Sequence, residues 1–261
     1  MEEKEYVCFE EKQCEVLNKV DSYFRQAALR LGGREYHIPA MIKSDVLERC
    51  GYFKTAPQHL TLASYFDQEY LYQNSKEVGV IPDFQMKKSD IYLTPAACLH
   101  IYPMLENEIL DNKIITTRAR VYRYENDNFN GSTRLWDFTV REIVFIGTRK
   151  FVSQKLIYME NLALSFAHSL GIYPEICSAN DHFIPNRENR IKMKFQKSNS
   201  LKKELVLKGK FENVSLCSFN FHETHFSKAF SFDNGGEIVS GCVGFGLERW
   251  VEALTNNSRT K

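Results

Sequence analysis

The amino-acid sequence predicts an α+β fold in which a mostly antiparallel sheet is flanked by helices. Two long runs of β-forming residues, 116–125 and 134–147, are joined by the turn-rich loop 126–133, a pattern typical of a hairpin. Amphipathic helical patterns stand at both ends and in the middle of the chain. Because the strands pair by hairpins and the helices are set apart from them, an antiparallel α+β sheet is favoured.

The elements follow in order along the chain. The first helix is predicted at 15–32, where apolar residues recur at spacings of three or four before a pair of glycines. The N-terminal half continues with an extended segment 36–42 interrupted by Pro39, a short helix 43–52, a strand 91–94 and a helix around 104–110. After the hairpin, the predicted elements are an amphipathic helix 151–170, extended lysine-rich segments within 189–207, strands 214–221, 230–232 and 237–244, and a helix 247–254.

Length and composition predict one globular domain, 1–261, with 1–32 as an N-terminal helical segment. The chain is 43% hydrophobic and 26% charged, with a mean hydropathy of −0.38, which excludes disordered and fibrous classes. No apolar run approaches the ~20 residues that a membrane span needs, and the acidic N-terminus lacks the apolar stretch of a signal peptide. The predicted location is therefore cytoplasmic, without a membrane partner.

The net charge bears on nucleic-acid partners, and the cysteine spacing bears on zinc knuckles and disulfides. The 34 basic and 33 acidic residues give a net charge of +1, whereas proteins that hold nucleic acid through its phosphates usually carry a basic excess. A tRNA or DNA partner is therefore not expected. The seven cysteines are scattered without a CxxC pair, so neither a zinc knuckle nor a disulfide framework is indicated, and reduced thiols are expected.

The predicted hairpin carries residues suited to a nucleotide. Arg123 and Glu125 share one face of a regular strand. On the returning strand, the residues that share a face are Arg134, Trp136, Phe138, Val140 and Glu142. A guanidinium group can bind a phosphate through two parallel charge-assisted bonds, and a phenyl ring can stack on a base. On spacing alone, a solvated strand face with one aromatic residue in the core is the more common outcome.

A glycine-rich segment, 241–249, precedes the last predicted helix. Glycines let a backbone approach a ligand closely, and a helix N-terminus favours anions. The spacing does not match a Rossmann glycine turn, and a tight turn for packing explains the glycines about as well.

Taken in this order, three segments resemble the signature motifs of class II aminoacyl-tRNA synthetases. They are the helix ending near Gly32 with the strand bearing Pro39, the hairpin 123–142, and the segment 244–249. Five strings resemble, more narrowly, the amino acid:[carrier protein] ligases, truncated relatives of archaeal-type seryl-tRNA synthetases. These strings are GYFKTAPQHLT (51–61), LTPAACLHIYP (93–103), NDHFIPN (180–186), SFNFHETHF (218–226) and GCVGFGLERW (241–250). The resemblance implies a class II synthetase-like catalytic domain without a tRNA-binding extension.

The resemblance also implies an ATP site that uses Mg²⁺. Arg123 would bind the α-phosphate, and Glu125 would contact the adenine amino group. Phe138 would stack on one adenine face, while Arg249 would lie over the other face and reach the γ-phosphate. Arg134 would also face the triphosphate. Catalysis would rest on Arg123 and Arg249.

The family's zinc ligands are Cys, Glu and Cys in sequence order, and the matching positions are Cys98, Glu142 and Cys242. Three protein ligands leave a fourth position open, which would take the α-amino group of the substrate. The segment 94–96 agrees with this role for the metal, because it lacks the carboxylate with which many class II synthetases hold the substrate ammonium. For Cys98 the alternative is a small buried residue.

Three histidines and two polar residues near these motifs have roles that the sequence leaves open. Ser218, Asn220 and His222 alternate on a predicted strand and would face the substrate together. His100 would share a strand face with Cys98 and is either a competing ligand or a neighbour of one. His225 is at least as readily an inert core histidine.

The resemblance implies an AMP-forming ligase that activates an amino acid as aminoacyl-adenylate and transfers it to the phosphopantetheine thiol of a carrier protein. Pro39 would lie in a homodimer interface. Carrier proteins are usually small and acidic, so a basic surface is expected near the site. Candidates for the basic surface are Lys192, Lys194, Lys197, Lys202 and Lys203. Two alternatives stay open: tRNA aminoacylation or modification with a partner, and a non-catalytic paralogue that senses an amino acid.

Overall fold

A computed structural model describes residues 7–74, 86–109, 111–124, 129–181, 183–209, 213–233 and 236–257. The strands are β1 (Arg34–Glu35), β2 (Met41–Lys43), β3 (Leu62–Ala63), β4 (Ile91–Leu93), β5 (Lys113–Tyr122), β6 (Asp137–Gly147), β7 (Glu175–Ser178), β8 (Lys202–Leu207), β9 (Val214–Glu223) and β10 (Val239–Gly246). The helices are α1 (Glu11–Arg30), α2 (Ser44–Arg49), α3 (Tyr52–Thr55), α4 (Gln68–Gln73), α5 (Arg149–Ser169), α6 (Arg187–Ser198), α7 (His225–Ala229) and α8 (Leu247–Asn257). Short 3₁₀ helices lie at Pro57–His59, Ala97–His100 and Pro103–Leu105. Across the described ranges, no helix is long and apolar enough to cross a membrane.

Seven strands form one mixed sheet in the order β1-β5-β6-β10-β9-β8-β7. Neighbouring strands run antiparallel, apart from the short parallel pair β1 and β5. Strands β2, β4 and β3 form a smaller antiparallel sheet. The predicted α+β fold with a mostly antiparallel sheet and a β5–β6 hairpin is therefore confirmed.

The large sheet buries different residues on its two faces, because successive side chains of a strand point to opposite sides. One face carries Ile143 and Phe245 and is covered by α1, α5 and α8. Phe24 of α1 stacks on Phe245 with ring centroids 3.6 Å apart, and Trp250 of α8 is fully buried in the same cluster. This side of the sheet is therefore closed.

The opposite face is only partly covered. Val140 and Val144 of β6 lie in a second apolar cluster with Leu99 of the 3₁₀ helix Ala97–His100 and Leu47 of α2. Over β6, β9 and β10 the same face borders a large cleft. Any chemistry that the sheet supports has to take place on this side.

A buried ion-pair network fastens α1 to the closed face. Arg141 of β6 is 1% exposed, and its Nε and Nη2 donate to the Asp21 carboxylate at 2.7 and 3.1 Å. Its Nη1 donates to Glu35 at 2.9 Å. Strand alternation places Arg141 on the side opposite its neighbour Glu142, and the sequence analysis assigned it no partner.

The prediction of extended segments within 189–207 is wrong for the first part of that range. This part belongs to helix α6, which ends before β8 begins. Asn186 caps the helix, because its side chain accepts the backbone N–H of Asn189 at 2.8 Å. The Asn189 amide then donates to the backbone carbonyls of Lys54 and Ile184 and anchors the first turn. The lysines of this segment are spread along an exposed helix and do not indicate an extended chain.

Two other predicted elements are also wrong. Near 104–110 the chain forms only the 3₁₀ turn Pro103–Leu105, since Asn107 takes a left-handed conformation with φ of 60°. The strand predicted at 230–232 is absent from the described chain. Phe230 and Phe232 instead end helix α7, where Ser231 has a φ of 52°.

Candidate active site

A cleft of about 1380 Å³ opens on the uncovered face of the sheet. It gathers side chains from the 3₁₀ helix Ala97–His100, from β6, β9 and β10, and from the start of α8. The predicted site residues that line it are Arg123, Arg134, Phe138, Glu142, Cys98, Cys242, Ser218, Asn220, His222 and Arg249. Glu125 lies outside the described residues.

The cleft contains a buried triad of possible metal ligands, Cys98, Glu142 and Cys242. Their ligand atoms all lie within 4.8 Å of one another. Glu142 on β6 pairs with Gly244 on β10, and Cys242 precedes Gly244 by two residues on the same face. Cys98 comes from the 3₁₀ helix that packs against β6. Sheet register and one helical turn thus bring together residues that are far apart in sequence.

The chemistry of the triad fits a zinc ion. Burial raises the pKa of Glu142, and hydrogen bonds to Cys242 and Cys98 with the charge of Arg123 offset only part of this effect. The hydrogen bond with Cys98, burial and the charge of Glu142 hold the pKa of Cys242 well above its ordinary value. A bound dication favours the deprotonated forms of all three groups and would offset these shifts. Two thiolates with a carboxylate suit Zn²⁺, whereas Mg²⁺ and Ca²⁺ prefer oxygen ligands alone.

Gly244 provides the space that the Glu142 carboxylate occupies. A Cβ atom at this position would lie 2.9 Å from Oε2 of Glu142 and 3.7 Å from Oγ of Ser218. Real Cβ atoms do not approach an oxygen so closely. A side chain at this position would therefore displace the end of Glu142, a constraint that motif spacing alone does not give.

The alternating residues of β9, Ser218, Asn220 and His222, line the same wall of the cleft. The Asn220 amide donates to Oγ of Ser218 at 3.2 Å and to Sγ of Cys242 at 3.6 Å. His222 lies beside Cys242, with Nε2 at 3.7 Å from its sulphur, and Nδ1 meets the hydroxyl of Tyr102 at 3.2 Å. Burial lowers the pKa of His222 to about 3, so the imidazole is neutral.

His100 and His225, the other two histidines considered from the sequence, are not part of the triad. His100 lies on a 3₁₀ helix and not on a strand, so the predicted shared face with Cys98 is wrong. Its Nε2 is 2.8 Å from Oγ1 of Thr94, and burial lowers its pKa to about 4. Nε2 of His225 is 3.0 Å from the carbonyl of Cys50.

Two arginines are held in place along the cleft by backbone carbonyls. Nε of Arg123 donates to the carbonyl of Pro95 at 2.9 Å, and its guanidinium lies 5.5 Å from the ring centroid of Phe138. Nε of Arg249 donates to the carbonyl of Thr133 at 2.7 Å. Both guanidinium groups remain beside the cleft, where they can bind phosphate oxygens.

Sequence reasoning missed a charged pair in the cleft wall. Lys202 is only 9% exposed and donates to Asp181 at 2.7 Å, with Glu204 at 3.5 Å. Burial raises the pKa of the Asp181 carboxyl, but the charge of Lys202 and the hydrogen bonds from Lys202 and Gln196 lower it overall. Lys202 was predicted only as a surface lysine, and a buried partner for it gives no signal in the sequence.

No protein-family model matches this chain. In sequence it is 27% identical over 255 residues to amino acid–[acyl-carrier-protein] ligase 1 of Bradyrhizobium diazoefficiens, covering 90% of this chain and 76% of the relative. Ligase 2 of the same organism is 29% identical over 230 residues, with 83% and 67% covered. A type-2 serine–tRNA ligase of Methanococcus maripaludis is 26% identical over 246 residues, with 85% of this chain and 47% of the relative covered.

In structure, the chain matches M. kandleri SerRS from a complex with A. aeolicus tRNASec, with a TM-score of 0.74 and 18% identity. The match covers 92% of this chain and 51% of the other. The chain has a class II synthetase-like fold. It spans about half the length of the serine–tRNA ligases it matches. The resemblance found in the motifs is thereby confirmed, and the comparisons support an enzyme of the aminoacyl ligase kind.

Proposed function

We propose that this chain activates an amino acid with ATP, forming an aminoacyl-adenylate and pyrophosphate, and then transfers the aminoacyl group to the phosphopantetheine thiol of a carrier protein. The observation that carries the proposal is the presence in one cleft of the triad Cys98, Glu142 and Cys242 together with Arg123 and Arg249. Such a cleft can hold an amine, a carboxylate and a triphosphate at once. The similarity to amino acid–[acyl-carrier-protein] ligases supports a carrier protein as the acceptor.

In the first step, a carboxylate oxygen of the amino acid attacks the α-phosphorus of Mg²⁺-bound ATP. The bond from that phosphorus to the β-phosphate oxygen breaks, and pyrophosphate leaves. Arg123 binds the α-phosphate, and Arg134 and Arg249 bind the outer phosphates. Phe138 stacks on adenine, and Glu125 accepts a hydrogen bond from the adenine amino group. Because two of these arginines are already held by backbone carbonyls, they are preorganised to stabilise the charge that develops.

Cys98, Glu142 and Cys242 would hold a Zn²⁺ ion, which would supply a Lewis acid to bind the α-amino group of the substrate. The segment 94–96 supports this arrangement, since it contains no carboxylate for an ammonium group. Within this segment, the Pro95 carbonyl accepts a hydrogen bond from Arg123. Ser218, Asn220 and His222 line the same wall and complete the substrate side of the cleft.

In the second step, the thiolate of the carrier attacks the carbonyl carbon of the adenylate, and the bond to the AMP oxygen breaks. Helix α6 is the docking surface we favour for an acidic carrier. Lys192, Lys194 and Lys197 are exposed on it, and Lys192 lines the cleft. Lys202 and Lys203 do not contribute, because Lys202 is buried against Asp181 and Lys203 is paired with Glu160 at 2.9 Å.

A homodimer in the cytoplasm is the assembly in which we expect this activity. Pro39 is exposed just before β2, and the small sheet presents Met41 and Leu62, which are 55% and 51% exposed. Exposed apolar side chains on one small sheet are suited to contact with a second copy. Light scattering of the purified protein should give twice the monomer mass, and a monomer at micromolar concentration would contradict this.

A second candidate is aminoacylation of tRNA, favoured by the similarity to type-2 serine–tRNA ligases. The net charge of +1 speaks against tRNA bound by this chain alone. A third candidate, a module that only senses an amino acid, is less consistent with a cleft that keeps Arg123, Phe138 and Arg249 in place. Each candidate predicts a different result in the assays below.

The first test is amino acid-dependent ATP–pyrophosphate exchange across the common amino acids, before and after removal of metal with a chelator. We expect exchange with one or a few amino acids, loss on chelation and recovery with Zn²⁺. Absence of exchange from folded, zinc-loaded protein would refute adenylation and favour the sensor.

The second test separates the acceptors. Radiolabelled amino acid should transfer to a phosphopantetheinylated carrier protein and not to tRNA; transfer to tRNA alone would reverse the assignment. Glu substitutions at Lys192, Lys194 and Lys197 should lower carrier transfer at low salt by about tenfold or more while exchange persists. The matched control places Glu at the exposed Lys12, Lys19 and Lys150, with the same change in charge.

A further inference from the structure

The sulphur of Cys242 lies against two nitrogen atoms that can donate hydrogen bonds. Nδ2 of Asn220 is 3.6 Å away and Nε2 of His222 is 3.7 Å away. Both distances suit hydrogen bonds to sulphur. Two N–H donors directed at one sulphur suit a sulphur that accepts hydrogen bonds, as a metal-bound thiolate would.

The other ring nitrogen of His222 decides whether Nε2 carries a hydrogen. Nδ1 lies 3.2 Å from the Tyr102 hydroxyl and 3.3 Å from the Ser240 hydroxyl. Either hydroxyl can donate to Nδ1, and a neutral imidazole that accepts at Nδ1 carries its hydrogen on Nε2. The ring is further held edge-on against Phe226, with centroids 4.9 Å apart and planes at 84°.

We infer that His222 is a positioning residue that donates its Nε2–H to the Cys242 sulphur and thereby orients this ligand towards Cys98 and Glu142. This donation requires the tautomer in which the hydroxyl of Tyr102 or Ser240 donates to Nδ1. This inference rests on the proposed metal site, and it gives His222 a different task from the substrate contact that strand alternation predicted. Partners that orient a metal ligand typically change affinity by about 10–100-fold when removed.

The consequence is a graded dependence of metal affinity on the side chain at position 222. His222→Gln can place an amide nitrogen near the position of Nε2, whereas the shorter amide of His222→Asn reaches only the position of Nδ1. We expect Zn²⁺ affinity to fall about 10–100-fold in His222→Ala and His222→Asn and to recover largely in His222→Gln. Removing both hydroxyls with Tyr102→Phe and Ser240→Ala should produce a similar loss with the histidine still present.

The experiment measures metal binding without substrate. Zn²⁺ affinity is obtained by competition with a chromogenic chelator, and Co²⁺ is added to a second sample to record the thiolate-to-cobalt charge-transfer band. We expect that band to shift in His222→Ala and His222→Asn but to stay near its original energy in His222→Gln. His225→Gln is the matched control, because its Nε2 bonds the Cys50 carbonyl and not the triad.

Thermal unfolding of the metal-free proteins identifies variants that fail to fold. If His222→Ala does not fold, the comparison of His222→Gln with His222→Asn decides the question. Unchanged affinity and an unchanged cobalt band in folded His222→Asn would overturn the inference. A wild-type protein without any thiolate–cobalt band would overturn it together with the metal site. If the wild-type protein shows the thiolate–cobalt band but no pyrophosphate exchange, only the proposed function is refuted.

Discussion

Replacing Gly244 with alanine should weaken zinc binding while leaving the fold intact. The added Cβ would lie 2.9 Å from Oε2 of Glu142, and the carboxylate must retreat by about 0.5 Å to reach an ordinary contact distance of 3.4 Å. The φ angle of Gly244 is not in the left-handed region, so alanine strains no backbone there. The whole effect therefore falls on the Glu142 carboxylate.

The size of the effect follows from how little ligand displacement a metal site tolerates. Ligand distances in such sites hold to within about 0.2 Å, so a displacement of about 0.5 Å disrupts coordination. We expect Zn²⁺ affinity to fall about 10–100-fold, equivalent to about 1.4–2.7 kcal/mol. Chelator competition measures the affinity, and pyrophosphate exchange at limiting zinc should fall in parallel.

The control is Gly246→Ala on the same strand, where a Cβ would meet only Arg249 carbons at 3.7 and 3.9 Å. This variant should bind Zn²⁺ as tightly as the original chain. Equal zinc affinity in Gly244→Ala and in the original protein would refute the argument that the glycine makes room for Glu142. A large loss of thermal stability in Gly244→Ala would refute it as well, because the clash would then not be confined to the site.

Three further predictions concern other parts of the chain. Arg249→Ala should lower pyrophosphate exchange about 10²–10³-fold, since it removes a donor to the triphosphate, while zinc affinity stays unchanged. Phe138→Ala should raise the KM for ATP about 5–150-fold, as expected for a lost stacking contact of about 1–3 kcal/mol, with little change in the KM for the amino acid. Arg141→Ala should lower the free energy of unfolding in urea by about 3–5 kcal/mol, because it leaves the buried Asp21 carboxylate without its main partner.

Each of these predictions has its own control. Arg149→Ala removes an exposed arginine that is paired with Glu223 outside the cleft, and it should leave exchange intact. Phe138→Tyr keeps the ring and should keep the KM for ATP. Arg25→Ala breaks a pair whose arginine side chain is 39% exposed, so it should cost about 0–1 kcal/mol. A loss from Arg141→Ala as small as this would show that the buried network contributes no more than a surface pair.

The long elements could be predicted from the sequence because their signals are local. Apolar residues at spacings of three or four predicted a helix at 15–32 and another at 151–170, and α1 and α5 occupy most of those ranges. The hairpin β5–β6 was recognised from two β-forming runs and a polar loop. A repeat of 3.6 or 2.0 residues depends only on neighbours along the chain, so no tertiary information is needed to detect it.

Short or polar elements could not be predicted in this way. The lysine-rich helix α6 depends on the Asn186 cap and on the Asn189 amide, which bonds the carbonyl of Lys54 from a distant segment. The 3₁₀ helix that carries Cys98 was not predicted, because the strand prediction ended at residue 94 and assigned no element to 97–100. In segments of a few residues, contacts from the rest of the molecule outweigh intrinsic propensity.

The sequence by itself determined the fold class, the helix and strand periods and, through the order of its motifs, the residues that face the cleft. The resemblance named Cys98, Glu142 and Cys242 as one ligand set, and the tertiary structure places their ligand atoms within 4.8 Å of one another. Only the tertiary structure decided that Gly244 makes room for Glu142 and that His222 points at Cys242. The reason is physical. Which residues share a strand face follows from the chain alone, but which residues lie opposite one another follows from the register of strands that are distant in sequence.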